Sequence, residues 1–179
     1  MATDVILVTG GVRSGKSSYA EALARKYSQV CYVATAWPGD AEMEERIRLH
    51  RRHRPGHWQT IEEQLDLARV LDQNYEAQCL LIDCLGMWVT NLLCQQGIAS
   101  VQPSLDGLIR AVQSFPGVVI MVSNEVGWGL VPANELGRQF RDLLGWVNQK
   151  VAQVSDEVVL MVAGCPLWVK GTGGKVDGL

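Results

Sequence analysis

Short apolar runs recur along the chain, and the stretches between them carry apolar side chains at helical spacing. Val5–Thr9, Val30–Thr35, Cys79–Asp83, Val118–Val122 and Val158–Val162 are runs rich in Val, Ile, Leu and Met, the pattern of strands buried on both faces. A short strand is expected over Trp58–Ile61 and an edge strand over Leu167–Lys170. Helices are expected over Lys16–Tyr27, Gln64–Leu71, Met87–Cys94, Leu105–Ser114 and Asn134–Val154. The last sets Leu136, Phe140, Leu143, Leu144, Val147 and Val151 on one side, an amphipathic face. Ala41–Arg54 is rich in Glu and Arg, places Met43, Ile47 and His50 at helical spacing, and is stopped by Pro55-Gly56. Strands alternating with helices predict βαβ units and a mostly parallel sheet. Gly171–Leu179 reads as a frayed, glycine-rich tail.

The 179 residues suit one domain spanning the chain. With 47% hydrophobic and 20% charged residues, the balance is that of a globular protein. A net charge of −3 argues against nucleic acid as the partner. No apolar run approaches the roughly 20 residues of a membrane span, and Met1-Ala2-Thr3-Asp4 lacks the basic start of a signal peptide. A soluble, cytoplasmic protein is expected. The five cysteines contain no C-x-x-C pair and fall mostly in apolar runs, so they read as small buried side chains rather than zinc ligands.

Between the first strand and the first helix, Gly10-Gly11-Val12-Arg13-Ser14-Gly15-Lys16-Ser17 fits G-x-x-x-x-G-K-[ST] at every fixed position. Glycines let consecutive backbone N–H groups turn around a phosphate chain, and the helix start adds positive potential. Lys16 would reach the β- and γ-phosphates, and the Ser17 hydroxyl would ligate Mg²⁺. The expected fold is therefore α/β, a P-loop NTPase-like three-layer sandwich with a mostly parallel central sheet.

Leu80-Leu81-Ile82-Asp83 has the form of the second strand that offers a carboxylate to Mg²⁺; a turn-starting or capping Asp is the plainer alternative. Asp83-Cys84-Leu85-Gly86 also matches the D-x-x-G of switch GTPases, but no N-K-x-D is present at Ser123-Asn124-Glu125-Val126. Asn124 and Glu125 either touch substrate or cap the next segment of chain. All three histidines fall within Leu49–Trp58. His53 and His57 suit a basic surface segment. His50 shares a helical face with Met43, Ile47, Arg46 and Arg54, so it is either structural or a neutral nucleophile whose arginine neighbours would offset an incoming phosphate.

Taken together, several blocks resemble the bifunctional adenosylcobinamide kinase / adenosylcobinamide-phosphate guanylyltransferase family of cobalamin biosynthesis. They are Leu7–Ser17, Tyr32–Ala36, Glu42–Ile47 with His50, Arg54–Trp58, Val89–Leu93, Ser123–Gly127 and Gly129–Pro132, in that order. The resemblance implies two reactions. The γ-phosphate of ATP or GTP passes to adenosylcobinamide; GTP then guanylylates a histidine, from which GMP moves to adenosylcobinamide phosphate. That histidine falls on His50. The resemblance also implies that Gly10, Gly11, Val12, Arg13, Ser14, Gly15, Lys16, Ser17 and Ser18 hold the phosphates. Ala34, Thr35, Ala36, Arg51, Arg52, His53, Arg54, Glu62 and Asp83 would line the guanine nucleotide, with Ser17 and Asp83 on Mg²⁺. Leu49 stands where family members often have a second histidine. A corrinoid acceptor and a homo-oligomer, expected as a trimer, complete the implied picture. The competing readings are a small-molecule kinase with a structural His50, and a nucleotide-gated switch. Of the six tryptophans, Trp37 and Trp128 stand in loops after strands, where they suit a corrin ring, the core or a subunit contact.

Overall fold

The structure is a computed structural model that describes residues 4–37 and 54–171. Strand β1 (Asp4–Gly10) leads through the glycine-rich loop into helix α1 (Lys16–Ala24), followed by β2 (Val30–Ala34) and β3 (Gln59–Glu62). Next come α2 (Leu67–Gln73), β4 (Cys79–Asp83), α3 (Leu85–Gln95), a 3₁₀ turn (Ile98–Ser100) and α4 (Val101–Ser114). The chain then forms β5 (Val118–Val122), α5 (Glu135–Val154), β6 (Glu157–Val162) and β7 (Cys165–Lys170). The strands make one seven-stranded sheet in the order β3-β2-β4-β5-β1-β6-β7. All pairs are parallel except β6–β7.

Side chains alternate across the strands, so each strand feeds two cores. On one face Val8, Tyr32, Leu81, Ile120 and Val159 pack against Tyr19, Ala20 and Leu23 of α1. On the other, Leu7, Val33, Leu80, Ile82 and Met121 pack beneath Leu71 of α2, Trp88 of α3, Leu108 of α4 and Val147 of α5. The result is the three-layer α/β sandwich expected. Leu80, Leu81 and Ile82 are wholly buried, and each such side chain contributes about 1.5–3 kcal/mol relative to exposure.

Element boundaries moved for local reasons. Helix α2 begins later than Gln64 because Asp66 is its cap, its carboxylate accepting from the Arg69 N–H at 3.0 Å. Helix α4 starts at Val101, before the expected Leu105, because Pro103 sits in the first turn, where a missing N–H costs no intrahelical bond. Asn134 caps α5, accepting from Gly137 N–H at 2.6 Å. Of its predicted apolar face, Leu144, Val147 and Val151 are buried, whereas Leu136 is exposed at the helix start. Only two cysteines are buried as expected, Cys31 and Cys79; Cys84 is half-buried, and Cys94 and Cys165 are exposed. Cys94 lies near the end of α3 and Cys165 begins the edge strand β7, so an apolar run did not mean burial on all sides. The expected helix over Ala41–Arg54 lies outside the described residues except for Arg54.

Candidate nucleotide-binding site

The parallel register brings the carboxyl ends of five strands to one edge. Ala34 is level with Asp83 and with Glu62, and Asp83 with Val122. Val122 in turn pairs with Val8, two residues before Gly10. Backbone bonds extend this edge: Thr35 N–H donates to Asp83 C=O at 3.1 Å, and Glu125 N–H to Gly10 C=O at 2.9 Å. In an open parallel sheet this is the edge that binds ligands.

The glycine-rich loop leaves it in a shape that its sequence dictates. Gly10 (φ 149°) and Gly15 (φ 93°) take backbone angles that L side chains rarely adopt, and Arg13 is left-handed at φ 54°. A Cβ on Gly10 would stand 2.5 Å from Met161 O and 2.8 Å from Ser14 Oγ. Gly10→Ala is therefore expected to cost several kcal/mol, about 1–3 from backbone strain alone, read as a fall in the thermal midpoint and in nucleotide affinity. The β6–β7 hairpin braces the loop from behind, with Gly164 N–H donating to Ser14 C=O at 3.0 Å. Ala163 (φ 50°) and Gly164 (φ 83°) are the two residues of that turn, and positive φ at both is the hairpin geometry that matches strand twist.

Helix α1 opens with no side-chain cap and no acidic residue in its first turn, so its first N–H groups are left for an anion. Lys16 is buried, and its ammonium donates to Gly11 C=O at 2.6 Å across the loop. Burial lowers the pKa of Lys16, while Cys84 and Asp83 act to raise it. Burial, with Asp83, also pushes the Cys84 thiol up to about 12, so at neutral pH the working counter-charge is Asp83. Ser14 Oγ is buried with no hydrogen-bond partner among the described residues. An orphan hydroxyl, a buried ammonium and an uncapped helix start on one loop are together suited to hold a phosphate.

The family model for cobinamide kinase / cobinamide phosphate guanyltransferase matches residues 6–169. The chain belongs to this family. The bifunctional adenosylcobalamin biosynthesis protein CobP of Pseudomonas aeruginosa is 46% identical over 167 residues, covering 92% of this chain and 96% of the relative. The similarly named CobU proteins of Escherichia coli and Salmonella typhimurium are 41% and 42% identical, each covering 93% of this chain and 99% of the relative. Among solved structures, a KaiC-like protein from Pyrococcus horikoshii aligns with a TM-score of 0.53 at 13% identity, over 88% of this chain and 70% of that one. At that identity the likeness concerns the fold, a P-loop NTPase-like α/β sandwich.

In this member of the family, Asp83 is held rather than loose. Its Oδ2 accepts from the Tyr32 hydroxyl at 2.7 Å. Burial, then Asp83, raises the Tyr32 phenol well above its ordinary pKa, so it remains a donor. Thr35 is fully buried; its Oγ1 donates to Cys84 C=O at 2.8 Å and accepts from Cys84 N–H at 2.7 Å. Asn91 in turn donates to Thr35 C=O at 2.8 Å. Thr35 thus fixes the chain leaving β4. The next strand end is locked by Asn148, which donates to Asn124 C=O at 3.0 Å and accepts from Ser123 Oγ at 2.5 Å.

A hydroxyl at Ser17 and a carboxylate at Asp83 are the hard oxygen donors that suit Mg²⁺ bound jointly with phosphate oxygens. Among the described residues, no three His, Cys, Asp or Glu side chains form a metal-holding group. Ala36 and Glu62 also lie on this edge. His50, Arg51, Arg52 and His53 lie outside the described residues. Tyr32 and Asn91 fall within the blocks that carry the resemblance but were given no role there, and Asn148 falls in none of them.

Proposed function

We propose that this chain phosphorylates adenosylcobinamide with ATP or GTP and then transfers GMP from GTP, through His50, to adenosylcobinamide phosphate. Family membership over residues 6–169 is the observation that carries this reading, and the phosphate loop beside Asp83 supports it. In the first reaction the acceptor hydroxyl attacks the γ-phosphorus; the bond from that phosphorus to the β-bridging oxygen breaks and the nucleoside diphosphate leaves. Lys16 and the loop N–H groups meet the charge that spreads over the phosphoryl oxygens. In the second, a neutral His50 nitrogen attacks the α-phosphorus of GTP and pyrophosphate leaves. A phosphate oxygen of the acceptor then attacks the same phosphorus, the P–N bond breaks, and adenosylcobinamide-GDP is released. Splitting the transfer lets one nucleophile do what two substrates would have to do in a single encounter. Mg²⁺, held by Ser17 and Asp83, would neutralise charge on the departing phosphates.

The two reactions address different phosphorus atoms, so we infer that the His50 segment and the phosphate loop move relative to each other. GTP-bound and free crystals showing that segment fixed in one position would refute this. Trp37 and Trp128 are exposed in the loops after β2 and β5, on the sheet edge of the phosphate loop, and offer flat faces to a large ring. Trp128→Ala is expected to raise the KM for the corrinoid about tenfold, in line with loss of one stacking contact, and to leave the KM for nucleotide unchanged in steady-state assays. A trimer and a cytoplasmic location remain part of the proposal; among the described residues, no helix is long and apolar enough to cross a membrane. Incubation with α-labelled GTP tests the whole reading. Acid-labile label on the protein, chased onto a phosphorylated corrinoid, is the expected result, and a protein that turns over the kinase step without ever taking label would reduce it to a kinase.

A further inference from the structure

Tyr32 is buried inside β2, yet it meets both Asp83 and Arg54. Its hydroxyl binds Asp83, and the Arg54 guanidinium lies flat over its ring, with Cζ 3.4 Å from the centroid. That contact satisfies the face of the guanidinium but none of its N–H groups. Arg54 Nε and Nη1 are buried with no hydrogen-bond partner among the described residues. Buried guanidinium N–H groups without acceptors are costly, and because Nε–H and the Nη1 N–H groups lie on different edges of the plane, each is open to a separate phosphate oxygen.

We propose that Tyr32 is a positioning residue with two tasks: its ring seats Arg54 as a receptor for a nucleotide phosphate, and its hydroxyl orients Asp83 beside Lys16. Resting on the nucleotidyl-transfer reading, this makes one side chain the link between Asp83 and Arg54. Tyr32→Phe keeps the ring and removes the hydroxyl. Tyr32→Leu removes both, and Arg54→Lys removes the planar guanidinium with its Nε–H and Nη1–H donors.

The variants are compared by GTP affinity in EDTA, by label uptake from α-labelled GTP with Mg²⁺, and by thermal melting. Tyr32→Phe is expected to bind metal-free GTP within about twofold of wild type, yet to take up label about tenfold more slowly, the size of a lost hydrogen bond to a charged group. Tyr32→Leu and Arg54→Lys are each expected to weaken metal-free GTP binding about tenfold, the scale of a desolvated cation–π seat or a lost hydrogen bond from a charged group. A purely structural Tyr32 would lower the melting midpoint without separating these two readouts. Wild-type GTP affinity in a folded Tyr32→Leu protein, or in Arg54→Lys, would overturn the seat. If Tyr32→Leu does not fold, Tyr32→Phe decides, and an unchanged rate of labelling overturns the hydroxyl's task. A wild-type protein that never takes label would refute guanylyl transfer, and the metal-free affinities would still test the seat of Arg54.

Discussion

Lys16→Ala is expected to abolish transfer of the γ-phosphate while leaving a folded protein. The ammonium is the one buried cation on the phosphate loop, and it reaches across that loop to Gly11 C=O at 2.6 Å. Loss of a preorganised donor to a developing phosphoryl charge costs about 10²–10³ in rate, and this one also neutralises the bound triphosphate, so affinity should fall as well. Stability should move the other way or not at all. Burial lowers the pKa of Lys16, which means that the fold holds this charge at a cost, only partly offset by Asp83. Removing it relieves that cost, at the loss of one hydrogen bond. The checks are γ-labelled ATP with a corrinoid acceptor for activity, and thermal melting for the fold. Kinase activity near wild type would mean that the loop does not serve as argued. A collapsed melting midpoint would mean that Lys16 is structural.

What could be read in the sequence was whatever depends on local spacing. The phosphate loop was legible because glycine at positions 10 and 15 answers a backbone requirement, φ of 149° and 93°, that few other residues meet. The strand ending at Asp83 was legible because a buried parallel strand is a continuous apolar run, and a carboxylate at its end stands out. What could not be read depends on partners distant in sequence. Thr35 was expected at the end of a strand and, by resemblance, against the nucleotide, but its hydroxyl is bound to the backbone of Cys84, 49 residues away. Asn91 and Asn148 sit within helices, where nothing in the periodicity tells a core-facing amide from a solvated one. The β6–β7 turn is built on Ala163-Gly164 rather than the Asn-Gly or Asp-Gly that signals such a turn, so its bracing of the phosphate loop had no local sign. The exposure of Cys94 and Cys165 has the same origin: hydrophobic neighbours in sequence do not say which layer covers them.

His50→Ala is expected to remove guanylyl transfer and to leave phosphorylation of the corrinoid within a few-fold of wild type. The two reactions share a nucleotide but not a nucleophile. The kinase step needs the acceptor hydroxyl, Lys16 and the loop, all independent of an imidazole. The guanylyl step needs a group that attacks the α-phosphorus and then departs from it, which alanine cannot do. Because a missing nucleophile removes a covalent intermediate, the loss should be complete: no acid-labile label from α-labelled GTP, and no GMP adduct by mass spectrometry at any concentration of nucleotide. A defect in binding alone would instead be recovered as GTP is raised. The arginines flanking the histidine in sequence, Arg46 and Arg54, would still offset phosphate charge in the variant, so its affinity for GTP should change little. Loss of both activities in a folded His50→Ala protein would refute the division of labour. GMP found on another residue would move the nucleophile and, with it, the reason for the arginines around position 50.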